Sequence, residues 1–421
     1  MKKFLLTAVA ASGFYLVLFF LQGCIKDSYT RTYTYWYYQP VFQTKQEVRD
    51  NIKSNPSQPI ERPGKIYIKG EFIFLNEIDK GIHVIDNSNP ASPQRIAFIT
   101  IPGNLDVAVK GNTLYADLYT DLVAIDISDP HNVVLKKTIE GIFPYRYFGI
   151  QNDSSKIIAR WEKRDTTVKQ TFDIAGWARD RNVFIQFSAL NSGGGGSSFS
   201  SAAPYGMGGS MARFAIASDR LYTVGNANLD VFNISNAINP IAVSRKNLGW
   251  NIETIYPFRN KLFIGSQTGM FVYNINNPDN PVLDGQFSHA RVCDPVIADQ
   301  NYAYVTLRSG NNCVGFTNQL DIVSLQTANP TLVKTYAMTN PHGLSKDGNT
   351  LFICDGRDGL KAYNTSSVTG LQLIKHITGI ETYDVIAFNN IALVVAKDGI
   401  YQYDYSNLDN ISLKSKMTIT K

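Results

Sequence analysis

GIHVIDNSNPASPQRIAFI, from Gly81 to Ile99, and DLVAIDISDPHNVVLKKTI, from Asp121 to Ile139, decide the fold. Each reads as an alternating strand, a polar turn of the form Asn-Pro or Asp-Pro, and a second short strand. Proline fixes φ and has no N–H to give to a ladder, so the first strand must stop at the turn. The same grammar returns in NLDVFNISNAINPIAVSRK from Asn228, GMFVYNINNPDNPVLDGQF from Gly269 and QLDIVSLQTANPTLVKTYA from Gln319. It returns again in GLKAYNTSSVTGLQLIKHI from Gly359 and GIYQYDYSNLDNISLKSKM from Gly399. The copies begin 40, 107, 41, 50, 40 and 40 residues apart, and a period near 40 is the length of one propeller blade.

Two further apolar strands precede each copy, as in NLDVAVKGNTLYADLY before Asp121 and ETIYPFRNKLFIGS before Gly269. Four strands make one unit. A four-stranded antiparallel sheet cannot bury both faces alone, whereas sheets stacked around an axis bury them against each other. A helical solenoid would need an apolar rhythm of 3.6, and these segments alternate by two. The expected fold is therefore all-β: a β-propeller of four-stranded antiparallel blades occupying residues 64–421.

The step of 107 sets the blade count. Blade openings align at Lys65, Asp106, Arg213, Glu253, Asp294, His342 and Asp384, and Arg146 lies forty residues after Asp106. YRYFGIQNDSSKIIARWEKRDTTVKQTFDI around Arg146, with NVFIQFSAL from Asn182, supplies strands for a degenerate blade. Eight blades are favoured on this reading; seven, with a long insertion over 142–209, is the alternative. SGGGGSSFSSAAPYGMGGS, Ser192 to Ser210, reads as a flexible loop and lacks the lysine of a phosphate-cradling loop.

The N-terminal stretch MKKFLLTAVAASGFYLVLFFLQGC places Lys2 and Lys3 before an apolar run from Phe4 to Leu21, the layout of a secretory signal peptide over residues 1–23. Leu21-Gln22-Gly23-Cys24 resembles the bacterial lipobox, whose cysteine is lipidated after cleavage. An uncleaved membrane helix is the competing reading, since about 18 apolar residues suffice to span a bilayer. Residues 24–63 then form a lipidated spacer, and the aromatic cluster TYTYWYYQPVF within it is expected to pack on the propeller.

The bulk composition agrees with short strands and turns: 31 Gly, 17 Pro, 23 Phe and 23 Tyr. A net charge of +5 is scattered along the chain, which gives no basic stripe for nucleic acid. Export permits disulfides, and Cys293 and Cys313, flanking one hairpin-like stretch, are expected to pair. Cys354, inside the apolar strand TLFICDG, reads as a buried small hydrophobe.

GIHVIDNSNP, DLVAIDISDP and MFVYNINNPDNP, with the entry strand PGKIYIKGEFIFLNE, resemble the LVIVD repeat of exported bacterial and archaeal propellers. Together with the lipobox, the chain resembles LVIVD-repeat lipoproteins of the Bacteroidetes type. The resemblance implies the fold and an envelope location, and brings no general activity with it. The copies at Gly359 and Gly399 lack the Asn-Pro turn, and Gly141 to Met207 lacks the motif altogether.

Corresponding positions of a propeller converge on one end of the central channel. Asp106, Arg146, Arg213, Glu253, Asp294, His342 and Asp384 are therefore the candidate ligand site at a channel mouth, with solvated structural charge as the alternative role. No Gly-x-Ser-x-Gly, His-Glu-x-x-His or Cys-x-x-Cys occurs, so no catalytic residue, metal or cofactor is assigned. His83, His131, His289 and His376 are expected in packing or surface roles, and Asp126, Asp129 and Asp404 as turn caps.

Two function classes follow. A binding or scaffolding module would hold a protein or glycan near the membrane; an enzyme or metal binder would work at the channel mouth through Asp294, His342 and Asp384. Ile25 after Cys24 lacks the aspartate that retains lipoproteins in the inner membrane, so an outer-membrane location is expected, facing the periplasm or the cell surface.

Overall fold

The computed structural model describes residues 28–146, 155–173, 207–249, 251–288, 295–309 and 317–420. These fall into two compact units. The smaller comprises residues 28–41 and 160–173 of a two-stranded ribbon whose strands run Ser28–Thr44 and Lys156–Asp173. Thr34 and Thr167 touch hydroxyl to hydroxyl across it at 3.2 Å, and Lys163 lies 4.9 Å from the centroid of the Trp36 ring. Along its first strand Tyr33, Tyr35, Trp36, Tyr37 and Tyr38 are all exposed.

The larger unit is a β-propeller. Seven antiparallel sheets follow one another along the chain, each with four strands in consecutive order. The innermost strands are Pro63–Lys69, Val107–Lys110, Phe214–Ala217, Ile252–Phe258, Val296–Ala298, Leu344–Asp347 and Thr382–Phe388. Blade 1 is widened to six strands: Lys53–Asn55 pairs with its outer strand and Met207–Gly208 with its inner one. Among the described residues no helix is long and apolar enough to cross a membrane. The short helix Lys45–Asp50, closed at its start by a Thr44 and Glu47 capping box, sends Arg49 to Asp121 and Glu140 of blade 2.

The quoted repeats form the third and fourth strands of each blade. The third strand, such as Asp121–Asp126, is buried along nearly its whole length because a blade lies on either face. The fourth, such as Val134–Ile139, lies at the rim and is largely exposed. The third strand ends where a side chain captures the backbone of the turn. Asp86 accepts from Ser88 N–H, Asp126 from Ser128, Asn233 from Ser235, Asn274 from Asn276, Asn364 from Ser366 and Asp404 from Ser406, each at 2.8–3.0 Å. Asp129 does the same for His131 within its turn. Capping by Asp126, Asp129 and Asp404 thus holds, and the copies at Gly359 and Gly399 keep this device after losing the proline.

The favoured count of eight is corrected to seven described blades. Blades 2 and 3 bury each other directly: Leu114 and Ile125 share one apolar cluster with Phe214, Leu221 and Phe232. Tyr115 donates to the Ala237 carbonyl at 2.7 Å, and the Lys110 ammonium meets the Ile234 carbonyl at 2.6 Å and Asp219 at 2.8 Å. A sheet inserted here would have to break that contact, so the described parts of 142–209 go elsewhere. Pro144–Arg146 is a 3₁₀ turn, Lys156–Asp173 joins the ribbon, and Met207–Gly208 joins blade 1. NVFIQFSAL lies outside the described residues.

The ring closes between blades 7 and 1. Ile386, Leu393, Val395 and Ile400 share a core with Ile66, Ile73, Leu75 and Ile85. Gln402 exchanges amide hydrogen bonds with Asn87 at 2.7 and 3.0 Å, and Thr420 N–H donates to the Ile60 carbonyl at 2.7 Å.

Candidate functional site

The openings of the inner strands place polar side chains near the axis, where neighbouring blades crowd together. Lys65 and Asp106, both buried, form an ion pair between blades 1 and 2. The same Asp106 carboxylate accepts the Arg213 backbone N–H from blade 3 at 2.7 Å. The Arg213 guanidinium donates to the carbonyls of Ile252 at 3.0 Å and Glu253 at 3.4 Å, in blade 4. Glu253 accepts from Gln267 at 3.0 Å. These residues are therefore engaged with one another and with the backbones of adjoining blades.

Arg146 requires a correction. It opens no blade: it sits in the 3₁₀ turn after the outer strand of blade 2, paired with Asp117 and donating to the Gly103 carbonyl at 2.5 Å. There it completes a buried polar network that the sequence reading missed. Asn76 donates to Asn104 at 2.7 Å, Asn104 to Asp117 at 2.8 Å, and the Asp117 carboxylate also takes the N–H groups of Leu105 and Asp106 at 2.9 Å. Asp294, Cys293, Cys313, His289 and Cys24 lie outside the described residues.

His342 and Asp384 are buried in blades 6 and 7. The His342 ring contacts Asn340 at 3.2 Å and the Arg308 guanidinium at 3.4 Å. Burial, assisted by the Arg308 charge, pushes its pKa down to about 3, so it is neutral. Asp384 packs so closely on Gly343 that a Cβ there would lie 2.2 Å from its Oδ1. No side chain donates a hydrogen bond to either carboxyl oxygen. Burial raises its pKa to about 8 against the opposing influence of the Val385 amide and Lys65, which leaves a protonated acid at neutral pH. Burial likewise works against both charges of the Lys65 and Asp106 pair, lowering the first and raising the second, and their mutual contact opposes this.

The decisive feature is what lies between these strands. Residues 207–212 cross the channel from blade to blade. Gly209 N–H donates to Ile66 O at 3.1 Å in blade 1, the Ala212 carbonyl accepts from Ile255 in blade 4 at 2.9 Å, and Ser210 Oγ accepts from Leu344 N–H in blade 6 at 2.8 Å. Met207, Ser210, Met211 and Ala212 are all buried there. Gly208 makes the passage possible, because a Cβ would meet the Tyr67 ring at 3.2 Å. The end of the glycine-rich stretch, expected as loop, is a plug. Its signal in the sequence was the run of small residues Gly208-Gly209-Ser210 between two methionines.

The remaining predicted roles are resolved as follows. His83 is buried against Glu77, which also accepts the N–H groups of Glu61 and Arg62. His376 reaches the Asp358 carbonyl at 2.6 Å, and His131 is exposed. Cys354 is fully buried with a free thiol, and burial pushes its pKa well up, as expected of a packing residue. Among the described residues no group of three or more His, Cys, Asp or Glu side chains is arranged to hold a metal ion.

The repeat family described as "LVIVD repeat" matches residues 64–97 and 104–140. The chain carries LVIVD repeats. The matched segments are blades 1 and 2, and the five other blades repeat the architecture of those two. No curated protein matches the sequence. Among solved structures, the computationally designed Ika8 protein is similar at a TM-score of 0.52 and 9% identity, over 87% of this chain and 90% of that one. PorZ of Porphyromonas gingivalis, described as an essential surface component of the type-IX secretion system, is similar at 0.49 and 12%, over 86% of this chain and 39% of that one. BamB from Moraxella catarrhalis is similar at 0.47 and 8%, over 82% of both chains. At such identities the likeness to the designed protein concerns the fold.

Proposed function

We propose that this LVIVD-repeat propeller is a non-enzymatic binding or scaffolding lipoprotein of the bacterial cell envelope, held at the outer membrane by a lipid on Cys24. Its partner is a protein or a glycan, met at the propeller surface, and the side facing the periplasm or the cell exterior presents it. The observation that carries this reading is the plugged channel. Lys65, Asp106 and Arg213, expected at an open mouth, are spent on one another and on adjoining backbones, and residues 207–212 bond to blades 1 and 6 between them, which leaves the loops and outer strands as the places where another molecule can dock. The anchor rests on Leu21-Gln22-Gly23-Cys24 behind an apolar run.

The test is crosslinking in intact cells followed by affinity capture of the lipidated protein. A partner recovered in comparable amount to the bait, and lost when Cys24→Ala mislocalises the protein, is the expected result. Recovery of the bait alone overturns the binding reading.

A second reading, a small-ligand or metal site in the channel, is favoured by the Asp384 carboxyl, to which no side chain donates. It requires metal or ligand to co-purify with the wild type in stoichiometric amount and to be lost in Asp384→Asn while the fold persists.

A further inference from the structure

The ribbon presents an arrangement that a soluble surface does not favour. Tyr33, Tyr35 and Tyr37 alternate along its first strand with Trp36 and Tyr38, so aromatic rings project from both of its faces. Every one is exposed, Trp36 by 57% and Tyr38 by 56%, and Trp161 on the second strand by 54%. Exposed aromatic groups of this density mark a surface that meets something else. The same two strands carry six cations, Arg31, Lys156, Arg160, Lys163, Arg164 and Lys169, against three carboxylates.

We infer that this ribbon lies in the headgroup layer of the bilayer that receives the Cys24 lipid, with Trp36 and Trp161 as its interfacial anchors. The inference rests on the lipoprotein reading. Three residues lie between Cys24 and Ser28, so the ribbon begins four chain steps, within about 14 Å, from the anchored cysteine even with the chain fully extended. Tyrosine and tryptophan rings suit that layer: the ring enters among glycerol and upper acyl groups while the hydroxyl or indole N–H stays wet. Lys163, resting on the Trp36 ring, has the aliphatic reach to place its ammonium among phosphates, and the net positive charge suits an anionic leaflet. The lipid and the ribbon then act as two linked attachments, the ribbon adding contact that the acyl chains alone do not supply.

The test uses the full lipidated protein in vesicles of phosphatidylglycerol and phosphatidylcholine, the latter either ordinary or brominated near the headgroup end of its acyl chains. Flotation reports the anchor, and bromine quenching of tryptophan fluorescence reports the ribbon. Flotation with quenching that falls by roughly half or more in W36F/W161F is expected, since those two of the four tryptophans should sit at the interface. Flotation with quenching unchanged by the double substitution overturns the inference and leaves the anchor standing, a ribbon of that kind being free for a protein partner. Failure of the wild type to float with the vesicles overturns the lipoprotein reading and this inference with it.

Discussion

Asp106 accepts the backbone N–H of Arg213 at 2.7 Å although 107 residues of sequence separate them. That single bond joins the inner strands of blades 2 and 3 and removes the space in which an additional blade would sit. It also recasts the role of Asp106, which with Lys65 and Arg213 stitches three blades together. Lys65, Asp106 and Arg213 are thereby a structural joint between neighbouring blades.

Removing the hydroxyl of Ser210 tests the plug. S210A leaves the Leu344 N–H buried without its acceptor, which costs about 1–3 kcal/mol. The denaturant midpoint should fall with an unchanged slope, because the surface exposed on unfolding is the same. A midpoint equal to that of the wild type would mean that residues 207–212 do not cross the channel.

Asp384 and His342 give opposing dependences on pH. Asp384 rises from its usual 3.8 to about 8 on folding, so the folded state holds the extra proton and stability is lost as pH climbs from 4 to 8. His342 falls from 6.5 to about 3, so the unfolded state holds the extra proton and stability is lost as pH drops below 6.5. The two offset each other between pH 4 and 6.5. D384N removes the first dependence alone. Its stability relative to the wild type should rise by up to about 1.4 kcal/mol per pH unit across pH 4 to 8, measured by urea unfolding at each pH. A difference independent of pH contradicts the burial of an uncompensated acid.

The turn caps are equivalent from blade to blade, so their removal should cost alike. Asp404 accepts from Ser406 N–H at 2.9 Å, Ser406 Oγ at 2.6 Å and Lys414 at 2.8 Å; Asp126 accepts from Ser128 N–H at 3.0 Å and Oγ at 2.7 Å. D126A and D404A should each lower stability by about 1 kcal/mol, with the asparagine variants close to wild type, as four of the seven blades imply by using Asn or Ser at this place. Calorimetric midpoints check this; an asparagine variant as damaged as the alanine one would argue against turn capping.

Much of the fold was legible because a blade's grammar is local. Strand alternation, the turn after Asp86 or Asp126, and the forty-residue period are all written in neighbouring residues. The count of blades was not, because it depends on whether Asp106 and Arg213 meet, a contact that no local pattern encodes. Aligning Arg146 by its spacing from Asp106 mistook a 3₁₀ turn for a strand opening. The site was legible in its members and not in their state: Asp106, Arg213, His342 and Asp384 do sit at strand openings, yet nothing local foretold that Asp106, His342 and Asp384 would be buried or that residues 207–212, whose glycines read equally well as a loop, would lie between the blades. The aromatic residues from Tyr33 to Tyr38 carried a strand pattern with no indication of whether anything covers them.

Zero-length carbodiimide coupling tests the seven-blade ring most directly. It joins an amine to a carboxylate only where they touch, as Lys110 of blade 2 and Asp219 of blade 3 do at 2.8 Å. Lys261 and Asp284, paired at 2.7 Å inside blade 4, provide an internal control. Mass spectrometry of the digested protein should find both links. Recovery of the control link with Lys110 coupled instead to a carboxylate between residues 147 and 206 would place another sheet between blades 2 and 3.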